Sequence, residues 1–143
     1  MCCVIIAVID GMGGGLGAQL VASLTAQLGT TAEVIALGAN ALATHNMVRA
    51  GASRGATGEN AILVSLRKAD IIAGPIGIVM ADAMMGEITP RIAAAVSGSD
   101  ARKVLLPVNQ NHVEIIGLES RPLGVSIRDA VARIAELVQE GDQ

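Results

Sequence analysis

One contiguous pattern constrains this chain more than any other: a β-branched run, a glycine-rich turn, then an apolar stripe at helical spacing. Val4 to Ile9 is continuously apolar and ends at Asp10 and Gly11, as expected of a strand buried on both faces of a parallel sheet. Glycines follow at positions 11, 13, 14, 15 and 17. Beyond them Leu16, Leu20, Val21, Leu24 and Leu28 recur at the period of an amphipathic helix, which Gly29 stops. The turn therefore leads directly from a buried strand into the positive end of a helix.

The rest of the chain repeats the alternation. Glu33–Leu37 reads as a second strand closed by Gly38, and Ala41 to Ala50 as a short helix stopped by Gly51. Gly51–Gly58 reads as a loop or a vestigial edge strand, with Thr57 capping a helix that carries Ile62, Leu63 and Leu66 and ends near Ala69. Asp70–Ala73 forms a third strand entering Gly74 and Pro75. The apolar segment Ile76–Met85 reads as core, in the form of a buried helix, or as a subunit contact. Thr89-Pro90 is an N-cap and first-turn signature for a helix reaching Val96, broken by Gly98. Lys103–Val108 is a fourth strand, and the short link after it predicts that His112–Leu118 returns antiparallel as an edge hairpin. Ser126 and Asp129 form a capping box for a terminal helix. The expected architecture is a single α/β domain over residues 1–143: a three-layer, Rossmann-like, doubly wound, mostly parallel sheet with an antiparallel edge hairpin.

Composition removes several function classes. At 143 residues and 52% hydrophobic, the chain can bury roughly 70% of its unfolded surface without a metal or disulfide. It contains no Phe, Tyr or Trp, so no side chain stacks on a base, forms an aromatic cage or acts as a tyrosyl proton donor. The formal charge of −3, without runs of like charge, implies neither nucleic acid nor an anionic membrane as partner. Gly11–Ala32 lacks charge but is too polar to span a bilayer, and the amino terminus has no signal-peptide features, so a cytoplasmic protein is expected. Cys2 and Cys3, adjacent and without a CxxC, read as buried, reduced strand residues.

In a doubly wound sheet, ligands sit outside the carboxyl ends of the strands, where the winding reverses. That places Gly11, Gly13, Gly14, Gly15 and Gly17 at the expected site. A backbone without Cβ approaches phosphate closely, while unpaired N–H groups and the helix dipole attract the anion. The other reading is that the glycines only let helix and sheet pack closely. The Walker GKS/T is absent, which argues against a P-loop hydrolase. Gly13, Gly15 and Ala18 fit GxGxxG/A, and NAD(P) or another nucleotide is the cofactor class this admits. Asn40 ends the second strand where a dinucleotide site uses an acid; it can bond a ribose hydroxyl but carries no charge. Arg49 and Arg54 either accept an extra phosphate or are solvated surface cations. Thr57, Glu59 and Asn60 are placed on the same edge by topology. Gly74-Pro-Ile-Gly77 forms a second small-residue turn there, and Asn109 and Asn111 end the fourth strand.

Asp10 and Glu59 are the candidate catalytic carboxylates. Asp10 is a general base, a magnesium ligand or a turn former; Glu59 faces a ligand or favours a helix dipole. A hydrolase using both with a divalent metal is one of three function readings. The others are a binder of a phosphate-bearing small molecule and a non-catalytic assembly module. His45 and His112 lack metal-ligand spacing, and Asp82 and Glu87 read as surface charges. Met80, Met84 and Met85 favour a homodimer surface.

Two resemblances follow from these motifs. Gly11, Gly15 and Gly17 resemble the GxxxGxG of short-chain dehydrogenases over about forty residues, although the proton-transferring tyrosine and lysine of that family have no counterpart here. The set VIDGMGGGLG, ALGANALATHNMVRAGA, GATGENAI, ADIIAGPIGIV and LLPVNQNHVEIIG resembles the small bacterial domain-of-unknown-function family thirty-eight forty-two, from Cys3 to Leu137. That resemblance implies a cytoplasmic bacterial protein with a Rossmann-like fold and no established activity.

Overall fold

The structure is a computed structural model that describes residues 3–108 and 112–141. Five strands, β1 (Val4–Asp10), β2 (Ala32–Gly38), β3 (Arg54–Thr57), β4 (Ile71–Pro75) and β5 (Arg102–Leu106), form one sheet in the order β3-β2-β1-β4-β5. Every neighbouring pair is parallel. The chain winds outward from β1 to β3, then returns to place β4 on the other side of β1, so the winding reverses between β1 and β4.

Helices α1 (Gly15–Leu28), α2 (Ala41–Arg49) and α5 (Leu123–Gly141) cover one face, and α3 (Glu59–Leu66) and α4 (Pro90–Ser97) the other. The sheet separates two apolar clusters. Ile6, Val8, Val34 and Ala36 pack with Leu20, Leu24, Met47 and Ile134 on the first side; Ala7, Ile9, Ile35 and Leu37 pack with Ile62, Ile78 and Ile92 on the second. The continuous apolar run of β1 is thus explained by burial on both faces, and the three-layer Rossmann-like α/β fold is established. Among the described residues no helix is long and apolar enough to cross a membrane.

Several local expectations are corrected. The edge hairpin is absent among the described residues, since β5 is an edge strand and 112–122 forms no strand. The Val108 amide donates to the Leu106 carbonyl at 2.9 Å, a three-residue turn that takes the chain out of the sheet directly after β5. Cys3 precedes β1 and is exposed rather than buried, while Cys2 lies outside the described residues. Helix α3 is capped by Gly58, not by the Thr57 side chain, which instead hydrogen-bonds Thr44 Oγ1 at 2.8 Å. Helix α5 begins at Leu123, so Ser126 lies inside it, and Asp129 pairs with Arg121 at 2.6 Å instead of closing a capping box. Only Ile76–Val79 of the apolar segment is helical, as one 3₁₀ turn; a loop follows to Ile88, pinned by the isolated bridge Ala83–Ile88. The Thr89 cap is formed as expected, its hydroxyl accepting the Ile92 amide at 3.1 Å with Pro90 in the first turn.

Candidate functional site

The glycine turn joins the carboxyl end of β1 to α1, beside the point where the winding reverses. Gly14 caps α1 in the left-handed conformation (φ 72°), and a Cβ there would stand 2.7 Å from the Ala43 backbone, so both conformation and space demand glycine. At Gly17 a Cβ would lie 2.9 Å from the Asp10 Cβ and 2.6 Å from Met47 Sδ. These two glycines serve packing.

Asp10 points inward. Its Oδ1 accepts the Gly11 amide at 2.8 Å and its Oδ2 the Gly17 amide at 2.7 Å, with only 5% of the residue exposed. Burial pushes its carboxyl above the usual carboxylate value; the two amide hydrogen bonds oppose that shift and the charge of Glu87 adds to it. Asp10 therefore braces the turn from beneath.

A second carboxylate covers the turn from the other half of the chain. Glu87 Oε1 accepts the Met12 amide at 2.7 Å, and its Oε2 accepts Asn40 Nδ2 at 2.6 Å. Asn40 also donates to the Met12 carbonyl at 2.9 Å, while its own oxygen accepts the Ala43 amide and caps α2. Asn46 Nδ2 donates to the Gly13 carbonyl at 2.8 Å. The loop that delivers Glu87 holds Asp82, Met84 and Met85 at positive φ, and Met84 lies over Gly11, its Sδ 2.8 Å from where a Cβ would be. Met84 and Glu87 thus cover the Gly11 side of the turn.

The outer part of the turn is open. The N–H groups of Gly13, Gly15 and Leu16 donate to nothing among the described residues, and a Cβ on Gly13 or Gly15 would meet no atom within 4 Å. No acidic residue lies in the first turn of α1 to balance its positive end.

The other expected site residues divide. Asn40 joins the turn, as described. Gly74 is buried in β4, where a Cβ would collide with the Ile9 carbonyl, so its role there is strand packing. Glu59 lies on α3, accepting the Thr89 hydroxyl at 2.5 Å and pairing with Arg91 at 3.6 Å; no hydrogen bond connects it with Asp10. Asn60, His45, Arg49, Asp82 and His112 are exposed. Arg54 pairs with Glu33 at 3.2 Å. Asn109 and Asn111 lie outside the described residues. No cluster of His, Cys, Asp and Glu fit to hold a metal occurs among the described residues. Glu87 and Asn46 were missed: Glu87 reads as an ordinary surface acid because nothing near it in the chain signals a contact 75 residues away.

Comparison with known proteins adds the family. A family model described as "Domain of unknown function (DUF3842)" matches residues 5–139. The chain belongs to this domain-of-unknown-function family. Among solved structures, it is similar to a dodecameric FMN-dependent UbiX-like decarboxylase from Escherichia coli O157:H7. That match has 16% identity, covers 93% of this chain and 92% of the other, and has a TM-score of 0.46. It is also similar to a universal stress protein in complex with cAMP, at 20% identity, covering 70% and 94% of the two chains with a TM-score of 0.38. No curated protein matches.

Proposed function

We propose that this domain binds a phosphate-bearing small metabolite, of the nucleotide class, at the outer rim of the glycine turn. The observation that carries the reading is the set of undonated amides at Gly13, Gly15 and Leu16, at the positive end of α1, where Gly13 and Gly15 are exposed. Anionic oxygens are the natural acceptors for such a group. The inner amides do not contribute, because Asp10 holds Gly11 and Gly17 and Glu87 holds Met12. A ligand would therefore seat on the outer rim and not on the Gly11–Met12 side that Met84 and Glu87 cover.

A thermal-shift screen of nucleotides and phosphorylated metabolites tests this, read with an external dye because the chain has no aromatic residue. Wild type should gain stability with at least one ligand. Gly15→Asp should remain folded, since an acid suits the first turn of a helix, yet lose that gain. Absence of any shift in wild type at about 10 mM ligand would discard the reading.

A second reading, self-assembly, rests on Met85, 91% exposed, and Ile116, 95% exposed. Met85→Asp is its test variant, with loss of a dimer in sedimentation as the outcome; Met84 is unsuitable because it packs against the turn.

A further inference from the structure

The loop between the 3₁₀ turn and α4 is built as a flap. Its two ends are fixed by Ile78 and Ile88, both fully buried on the second face of the sheet. Between them, the backbone hydrogen bonds of residues 80–88 all stay within residues 77–88. Among the described residues, the flap's only hydrogen bonds to the rest of the chain are those that the Glu87 carboxylate accepts from the Met12 amide and Asn40 Nδ2. Met84, half-buried over Gly11, adds an apolar contact. Asp82, Met84 and Met85 have φ of 66°, 58° and 58°, a region that side chains rarely adopt, so the closed flap holds strain that these few contacts offset. No Lys, Arg or His pairs with Glu87 among the described residues. One anion thus rests on two neutral donors at the glycine turn, the bonding that a phosphate oxygen makes in such a place.

We propose that the 80–88 loop is an autoinhibitory strap, latched by Glu87, which a ligand with two linked phosphate groups displaces from the glycine turn. The inference rests on the rim reading above and deepens it. With the strap closed, an anion reaches only the open amides of Gly13, Gly15 and Leu16. Met12 adjoins Gly13 in the chain, so a second phosphate linked to one at the rim comes within reach of the Met12 amide and Asn40 Nδ2 once Glu87 leaves. A single phosphate held at the rim has no group to offer there. The strap therefore selects by competition: both ligands gain the rim contacts, and only the diphosphate recovers the bonds that opening breaks.

Titration of the isotope-labelled protein with orthophosphate and pyrophosphate, without divalent metal, tests the assignment. Both anions should move the amides of Gly13, Gly15 and Leu16. Pyrophosphate alone should also move the Asn40 side-chain amide and the Met84 methyl, which report release of the strap. Glu87→Gln and Glu87→Ala remove the same charge, but only the first keeps an acceptor for Met12. Glu87→Ala should therefore bind pyrophosphate about threefold more tightly than Glu87→Gln, while the two variants bind orthophosphate equally. The strap is overturned, with the rim reading intact, if the Gly13–Leu16 amides respond to pyrophosphate while the Asn40 and Met84 signals stay fixed. Equal pyrophosphate affinity in the two variants overturns it as well. If no signal responds to either anion at about 10 mM, the rim reading falls and the strap with it.

Discussion

Asp10 accepts the Gly17 amide at 2.7 Å, tying the end of β1 to the first turn of α1 from the buried side. With the Gly11 bond, this makes Asp10 an internal brace whose oxygens are both occupied. Asp10→Asn keeps the size but supplies one acceptor and one donor, so an amide N–H is left facing an NH₂ group. The variant should lose about 1–3 kcal/mol of stability, read from chemical denaturation.

The same carboxyl sets a pH dependence. Burial raises its folded pKa above the unfolded value near 3.8, so the native state holds this proton to higher pH. Its contribution is fully present below the unfolded pKa and falls as pH rises through the folded one. Denaturation measured across that window should show this falling component in wild type and not in Asp10→Asn. A wild-type profile matching the variant would refute the assignment.

Glu87→Gln retains an acceptor for the Met12 amide but turns a donor toward Asn40, costing about 1 kcal/mol. It also removes a negative charge from beside the turn. If the rim binds phosphate, calorimetry should show affinity rising about threefold at low salt, with the gain shrinking as salt is added.

Gly15→Ala separates fold from binding more cleanly. The added methyl meets nothing within 4 Å and favours the helix, so stability should rise by about 0.5 kcal/mol, read as a slightly higher melting temperature. Affinity for a phosphate-bearing ligand should fall, because the methyl occupies the approach to the open amides.

Thr89→Ala removes the cap of α4 and the partner of Glu59 together. Denaturation should register a loss of about 1–2 kcal/mol. Restoring the hydroxyl with Thr89→Ser should recover most of it.

The strand–turn–helix at the amino end was legible because its signals are local: a β-branched run, adjacent glycines and a 3.6-residue apolar period. Thr89-Pro90 was legible for the same reason. The 80–88 loop was not. Positive φ at Asp82, Met84 and Met85 has no marker in side chains that rarely adopt it; it is imposed by the Asp82–Ile88 backbone bond at 2.7 Å and the reach of Glu87 to Met12. His112–Leu118 carries the composition of a strand but pairs with no strand among the described residues. Within the site, the glycines and Asn40 were found by position, whereas the inward aim of Asp10 became visible only once Gly17 was placed above it.

The Glu87–Met12 bond also has a bearing on synthesis. A nascent polypeptide that has emerged only through β3 already contains every glycine of the turn, yet lacks the acid that fixes its inner edge. The early half thus waits for the late half to reach its final shape, and two fragments cut between β3 and β4 would have to reassociate before that edge could close.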